Sequence, residues 1–222
     1  MFAWPFKCNR RKKNVKALFD LPLRKVIELA ASGDPTPGGG SISALTGCLG
    51  LSMTAMVGHL TFGKNTALEE EVKEVTSAAQ GLITKLEKMV ELDIAAFTEF
   101  MATYRLPQNT PEEKEAREEA RQKAFKKATD VPLETAAILL EALTLTRRMG
   151  HIGSKMAISD VGVAAHLCAG ALEAVLLCVD INLSLIKEEA YVAYARAQKE
   201  SLVSAAQKLK AEILTTVQDR LR

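Results

Sequence analysis

ALEEEVKEVTSAAQGLITKLEKMVELDIAAFTEF, residues 67–100, is the stretch from which the fold is read. Its apolar positions are Leu68, Val72, Val75, Ala79, Leu82, Leu86 and Met89. They alternate spacings of four and three, the signature of one buried face on a long helix. The pattern predicts a helix from about Ala67 to Leu106, stopped by Pro107. The next seam position is Asp93, followed by Ala96 and Phe100. A carboxylate thus stands where the helix calls for an apolar side chain. Burying an ionised carboxylate costs several kcal/mol unless it is paired. Desolvation also moves its pKa upward, toward the range useful for proton transfer. Two plainer readings stay open: an ion pair that fixes register, and a local twist that turns Asp93 to solvent.

The rest of the chain reads the same way. Ala, Leu, Glu, Lys and Met dominate, and alternating strand patterns bounded by turns do not occur. The expectation is an all-α helical bundle of about six to seven helices, including long antiparallel ones. Asp20 is the expected cap of a first helix over 21–32, with Gly33 at its end. A second helix is expected from about Ser41 to Phe62. Pro111 opens a charged helix after the loop LPQNTP. Pro132 is expected to break or kink it, with a helix resuming over 133–149. GHIGSK (150–155) reads as a loop. A further helix starts at Ser159 or Asp160 and runs to about Val179. INLSLI (181–186) reads as a connection, and a last helix runs from about Lys187 to the end.

The 222 residues are 48% hydrophobic and 25% charged, an ordinary globular balance. The net charge of +2 hides an asymmetry: residues 1–25 hold eight Lys/Arg and one acid. The basic part, NRRKKNVK, follows the apolar MFAWPF, the reverse of a secretory signal. Residues 1–17 are therefore expected to be a solvated, disordered tail, with membrane-surface contact as the lesser alternative. Residues 18–222 then form one all-α domain. Cys8, Cys48, Cys168 and Cys178 show no CxxC spacing and suggest reduced thiols in the cytoplasm. His59, His151 and His166 form no ligand motif, so no metal is expected. Residues 39–63 are just long enough to span a bilayer. They contain several hydroxyls and His59, and the apolar run 157–186 is interrupted by Asp160, Glu173 and Asp180. A core helix whose small residues admit close neighbours is the better reading.

PTPGGGS (35–41) precedes that helix. No Gly-Lys-Ser/Thr follows, and no strand comes before, so neither nucleotide-binding glycine motif fits. Backbone N–H groups at a helix start suit a carboxylate or a polar heterocycle, and glycines let a flat ligand approach. A tight entry loop with Ser41 as N-cap is the alternative. Of the basic residues near helix ends, Lys64 and Arg105 are best placed to reach a pocket.

Taken together, the pieces resemble the formiminotetrahydrofolate cyclodeaminase and methenyltetrahydrofolate cyclohydrolase family. They are PTPGGGS (35–41), GK (63–64), D-x-x-A-F (93–97), RLPQNTPEEK (105–114), VPL (131–133), SDVGVAA (159–165) and INL (181–183), in family order across roughly residues 18–190. The resemblance implies an all-α homodimer with folate pockets near the subunit interface. It implies a tetrahydrofolate derivative as substrate and Asp93 as the catalytic carboxylate. By the same resemblance Pro37, Gly38, Gly39, Gly40, Ser41, Lys64, Arg105, Asp160 and Asn182 are candidate substrate-binding residues. No metal and no nucleic acid are implied. The chain departs from the family where Gly-Asn-x-Asn is common, carrying Gly153, Ser154, Lys155 and Met156 instead. Cys178 stands where an Asn often precedes the INL motif. A non-catalytic relative that keeps the helical dimer is the alternative reading.

Overall fold

The computed structural model describes residues 18–64 and 66–222. The expectations for residues 1–17, the basic tail and Cys8 among them, lie outside the described residues. Six α-helices follow one another: α1 Leu23–Ala30, α2 Gly39–His59, α3 Glu69–Thr103, α4 Pro111–Ile152, α5 Ile158–Leu183 and α6 Glu189–Leu221. Short 3-10 turns lie at Leu18–Asp20, Thr66–Leu68 and Lys155–Ala157. One apolar core draws on all six helices. The all-α expectation holds, and no strand occurs among the described residues.

Central to the bundle is α2, which is apolar nearly all round, as a helix surrounded by others must be. Its glycines are the contact points. A Cβ on Gly47 would lie 2.4 Å from Leu139 Cδ2 on α4, and one on Gly50 would lie 2.6 Å from Cys168 Sγ on α5. A Cβ on Gly58 would lie 1.9 Å from Thr76 Oγ1 on α3. Helices α2 and 155–183 are each long and apolar enough to cross a membrane, the second despite its three acids. Of their most apolar windows, 61% and 56% are buried against the other helices. The core-helix reading of α2 therefore fits its packing.

The seam of α3 is buried as expected at Val72, Val75, Ala79, Leu82, Leu86 and Met89. At the start of α4, Thr110 and Glu113 form a reciprocal capping box, with Pro111 in the first turn.

Five expectations need correction. Asp20 does not cap α1: it closes a 3-10 turn, and Pro22 occupies the N-cap position without a side-chain hydrogen bond. Ser41 is not the N-cap of α2 either, because the helix starts two residues earlier with Gly38 in that role.

Pro132 does not interrupt α4, which runs unbroken from Pro111 to Ile152. A proline in a helix leaves the carbonyl four residues back without its amide partner. Here that carbonyl belongs to Ala128, and Asn182 Nδ2 on α5 donates to it at 2.8 Å. The missing hydrogen bond is replaced from a neighbouring helix, so the helix continues.

The expected loop at 150–155 begins as helix, since α4 continues to Ile152. Arg220 on α6 donates to the carbonyls of Gly150 (2.5 Å) and Gly153 (2.6 Å), which α4 leaves unpaired at its end. The INLSLI stretch likewise begins as helix, and α5 ends only at Leu183, whose side chain is buried in the core.

Candidate active site

Helices α2 and α3 run antiparallel, with Gly58 beside Thr76, Gly47 beside Leu86 and Gly40 beside Asp93. The first turn of α2 therefore meets α3 where its apolar seam is broken. Asp93 is half-buried there. Among the described residues it has no ion-pair partner, and it is not turned away to solvent. Its Oδ2 accepts a hydrogen bond from Ser41 Oγ at 2.6 Å.

Room for the carboxylate comes from Gly40. A Cβ at that position would sit 2.1 Å from Oδ1 and 2.6 Å from Cγ of Asp93. No side chain fits, so glycine is required by close approach rather than by an unusual backbone angle. Gly39 faces α5, where an added Cβ would lie 3.8 Å from Cys178 Sγ, an ordinary contact. The entry loop carries a cis peptide between Thr36 and Pro37. Because α2 begins at Gly39, its first N–H groups have no intrahelical carbonyl to meet.

Two forces set the protonation of Asp93. Burial dominates and pushes its carboxyl above the usual carboxylate range, while the hydroxyl and backbone N–H of Ser41 pull the other way. Burial and the nearby Asp93 charge also push the Cys178 thiol up, so it stays protonated. The site is thus a carboxylate with raised proton affinity, one neutral thiol and a set of backbone donors. Such a group holds its proton to higher pH than a free carboxyl does and can still give it up.

The other candidates divide by position. Gly38, Gly39, Gly40, Ser41 and Asp93 come together, with Pro37 in the adjoining loop. Asn182 lies one turn beyond Cys178 at the same end, but its amide is directed at α4 (above). Arg105 follows the end of α3, twelve residues past Asp93, in the turn Thr103–Leu106. Lys64 and Asp160 lie at the opposite end of the bundle. Lys64 Nζ donates to Ser154 Oγ at 3.2 Å, and Asp160 is in the first turn of α5. Eighteen residues of α5 separate Asp160 from Cys178, roughly 27 Å of helix.

Sequence reasoning missed the Ser41–Asp93 bond. It took Ser41 for a cap or a substrate ligand, and only a contact across fifty-two residues shows that it holds the acid. It also passed over Phe97, four residues beyond Asp93, although an i, i+4 pair shares a helix face.

Comparison with known proteins gives one answer. The sequence profile described as Formiminotransferase-cyclodeaminase matches residues 22–201. A methenyltetrahydrofolate cyclohydrolase of Methylorubrum extorquens is 36% identical over 193 residues, covering 86% of this chain and 93% of that protein. A formimidoyltransferase-cyclodeaminase of Sus scrofa is 30% identical over 210 residues, covering 92% of this chain and 38% of that longer protein. The crystal structure of a formiminotetrahydrofolate cyclodeaminase from Thermotoga maritima superposes with a TM-score of 0.82, at 22% identity. It covers 91% of this chain and 98% of that one, and it establishes the fold.

Proposed function

The chain belongs to the formiminotransferase-cyclodeaminase family, and we propose that it is a folate one-carbon enzyme that opens or closes the 5,10-methenyl bridge of tetrahydrofolate with Asp93 as acid/base. The observation that carries this reading is the half-buried Asp93 carboxylate, held by Ser41 in a space that only Gly40 leaves open.

Hydrolysis of the bridge needs a base for water. As oxygen bonds to the bridge carbon, Asp93 takes one proton from the water. The bond from carbon to N5 then breaks, its electron pair returns to N5, N5 takes the proton that Asp93 holds, and the remaining hydroxyl proton leaves to solvent as the formyl carbonyl forms. The methenyl bridge is cationic, so the carboxylate also stabilises the starting charge. In the cyclodeaminase direction, N10 attacks the formimino carbon on N5. Asp93 accepts the N10 proton and delivers it to the departing nitrogen, which takes its second proton from solvent and leaves as ammonia. The raised proton affinity of Asp93 suits both halves of that exchange. Hydrolysis is favoured by the 36%-identical cyclohydrolase, which this chain matches along nearly its whole length.

We further infer a homodimer. The candidate ligands Lys64 and Asp160 are too far from Asp93 to share one pocket within a chain. An apolar stripe runs along α5 from one end to the other: Val163 is 43% exposed, Leu177 67% and Ile181 55%. Leu49 on the neighbouring α2 is 54% exposed. A second copy laid antiparallel on this stripe would bring its Asp160 end beside the first copy's Asp93 end, twice, by two-fold symmetry. The free thiols of Cys48, Cys168 and Cys178 support a cytoplasmic setting.

The direct test adds purified protein to 5,10-methenyltetrahydrofolate and, separately, to 5-formiminotetrahydrofolate, and follows ultraviolet absorbance of the methenyl group. Accelerated decay with the first or accelerated rise with the second supports the reading. No change in either, from folded protein, rejects it in favour of a non-catalytic homologue.

A further inference from the structure

Phe97 takes no part in the proton transfers assigned to Asp93. It lies four residues after Asp93 on α3 and so shares its face of the helix. Because α2 runs antiparallel and begins beside Asp93, the next turn of α3 lies past the end of α2. Phe97 therefore lies one turn beyond Asp93, toward the side on which α2 begins with its first N–H groups unused by the helix itself.

Its surroundings are aromatic. Phe97 meets Phe100 with centroids 6.2 Å apart and planes at 65°. Phe100 in turn packs against Tyr104 at 5.3 Å and Phe125 at 4.8 Å. Among the described residues Phe97 is thus the end ring of a braced row and the one nearest the carboxylate in sequence. It stands beside the buried seam, in which Ala96 and Phe100 fill the inward positions. Phe97 itself is half-buried and is not one of the side chains that make up the apolar core. A braced flat ring, a carboxylate and a row of N–H donors complement one class of ligand: a planar heteroaromatic ring with hydrogen-bonding edges. Such rings stack on aromatic side chains at little entropic cost.

We propose that Phe97 is the platform on which the flat heterocycle of the folate lies while Asp93 works at the one-carbon bridge. This rests on the functional reading above.

The test compares Phe97→Leu and Phe97→Tyr with the wild type in full-length protein. For Phe97→Leu, KM for 5,10-methenyltetrahydrofolate should rise about tenfold, with kcat held within about threefold. Affinity for 5-formyltetrahydrofolate, measured by calorimetry, should fall by the same factor. Phe97→Tyr should restore both. An unchanged KM and affinity in Phe97→Leu, with an active wild type, overturns the platform alone. A joint loss of kcat and melting temperature that Tyr does not rescue also overturns it, in favour of a structural ring. A wild type that neither turns over nor binds the folate overturns the functional reading and the platform together. Should Phe97→Leu fail to fold, Phe97→Trp in a Trp4→Phe background carries the test, since Trp4 is the chain's one tryptophan. Saturable quenching of Trp fluorescence by 5-formyltetrahydrofolate supports the platform, and its absence overturns it.

Discussion

Ser41 and Asp93 are fifty-two residues apart in sequence and joined by a 2.6 Å hydrogen bond from hydroxyl to carboxylate. The bond explains how a charged group sits on an apolar seam. Ser41 supplies a partner that holds the charged form, while burial opposes it. Ser41→Ala removes the hydroxyl donor and lets burial dominate further. The acid limb of the kcat/KM profile should then move to higher pH, because a base must be ionised to act. An unmoved limb would show that Ser41 does not set the proton affinity of the acting group.

Gly40→Ala places a methyl group where Oδ1 of Asp93 stands. The carboxylate must rotate away, and misplacing a catalytic group by about 1 Å costs on the order of a hundredfold in rate. Gly39→Ala is the matched control for packing, since its Cβ meets Cys178 Sγ at 3.8 Å. Its melting temperature should equal or exceed that of the wild type, because alanine is the better helix former. Equal activity in wild type and Gly40→Ala would contradict the geometry.

The raised pKa of Asp93 makes a prediction about stability, with a definite sign. The folded state holds the Asp93 proton more tightly than the unfolded state does. Stability therefore falls as pH rises from the ordinary carboxylate range through the folded pKa. Asp93→Asn lacks this loss. Relative to wild type it should gain stability as pH rises, and the gap should close as pH falls toward the ordinary range. Melting curves of both proteins across pH check the sign. A gap that widens on acidification would mean that Asp93 is held mainly by favourable partners.

Asn182 and Pro132 should behave as a coupled pair. Asn182→Ala strands the carbonyl of Ala128 and should cost about 1–3 kcal/mol. Pro132→Ala restores an amide that can take the same carbonyl, so the double variant should recover much of the loss. A double-mutant cycle by denaturant unfolding measures the coupling. Purely additive effects would show that the asparagine does not replace the proline's missing bond.

A two-fold dimer with shared sites predicts complementation. Asp93→Asn and Asp160→Asn proteins should each be impaired. Unfolded together and refolded, they should recover roughly a quarter of wild-type activity, because half the dimers are mixed and each holds one intact site. No recovery, with mixed dimers demonstrated, would place each site within one chain.

Much of this architecture was legible in the sequence for a physical reason. Helical periodicity is local, and the α3 seam from Val72 to Met89 is a repeated local signal. The break at Asp93 stood out only because that signal was so regular. Single residues misled where their partner is distant. Pro132 reads as a helix breaker until Asn182, fifty-four residues from Ala128, is known to supply the missing donor. Ser41 reads as a cap until Asp93 is seen beside it. The end of α4 depends on Arg220, some seventy residues away. Lys64, Asp160 and Asp93 read as one set from the resemblance, and only the length of α5 separates them.

The most direct test of the central claim is turnover of 5,10-methenyltetrahydrofolate and 5-formiminotetrahydrofolate by wild type and Asp93→Asn, followed by methenyl absorbance. Catalysis by Asp93 requires turnover by the wild type of at least one substrate and a loss of at least about a hundredfold in Asp93→Asn, with calorimetric binding of 5-formyltetrahydrofolate retained. Undiminished turnover in Asp93→Asn would contradict it.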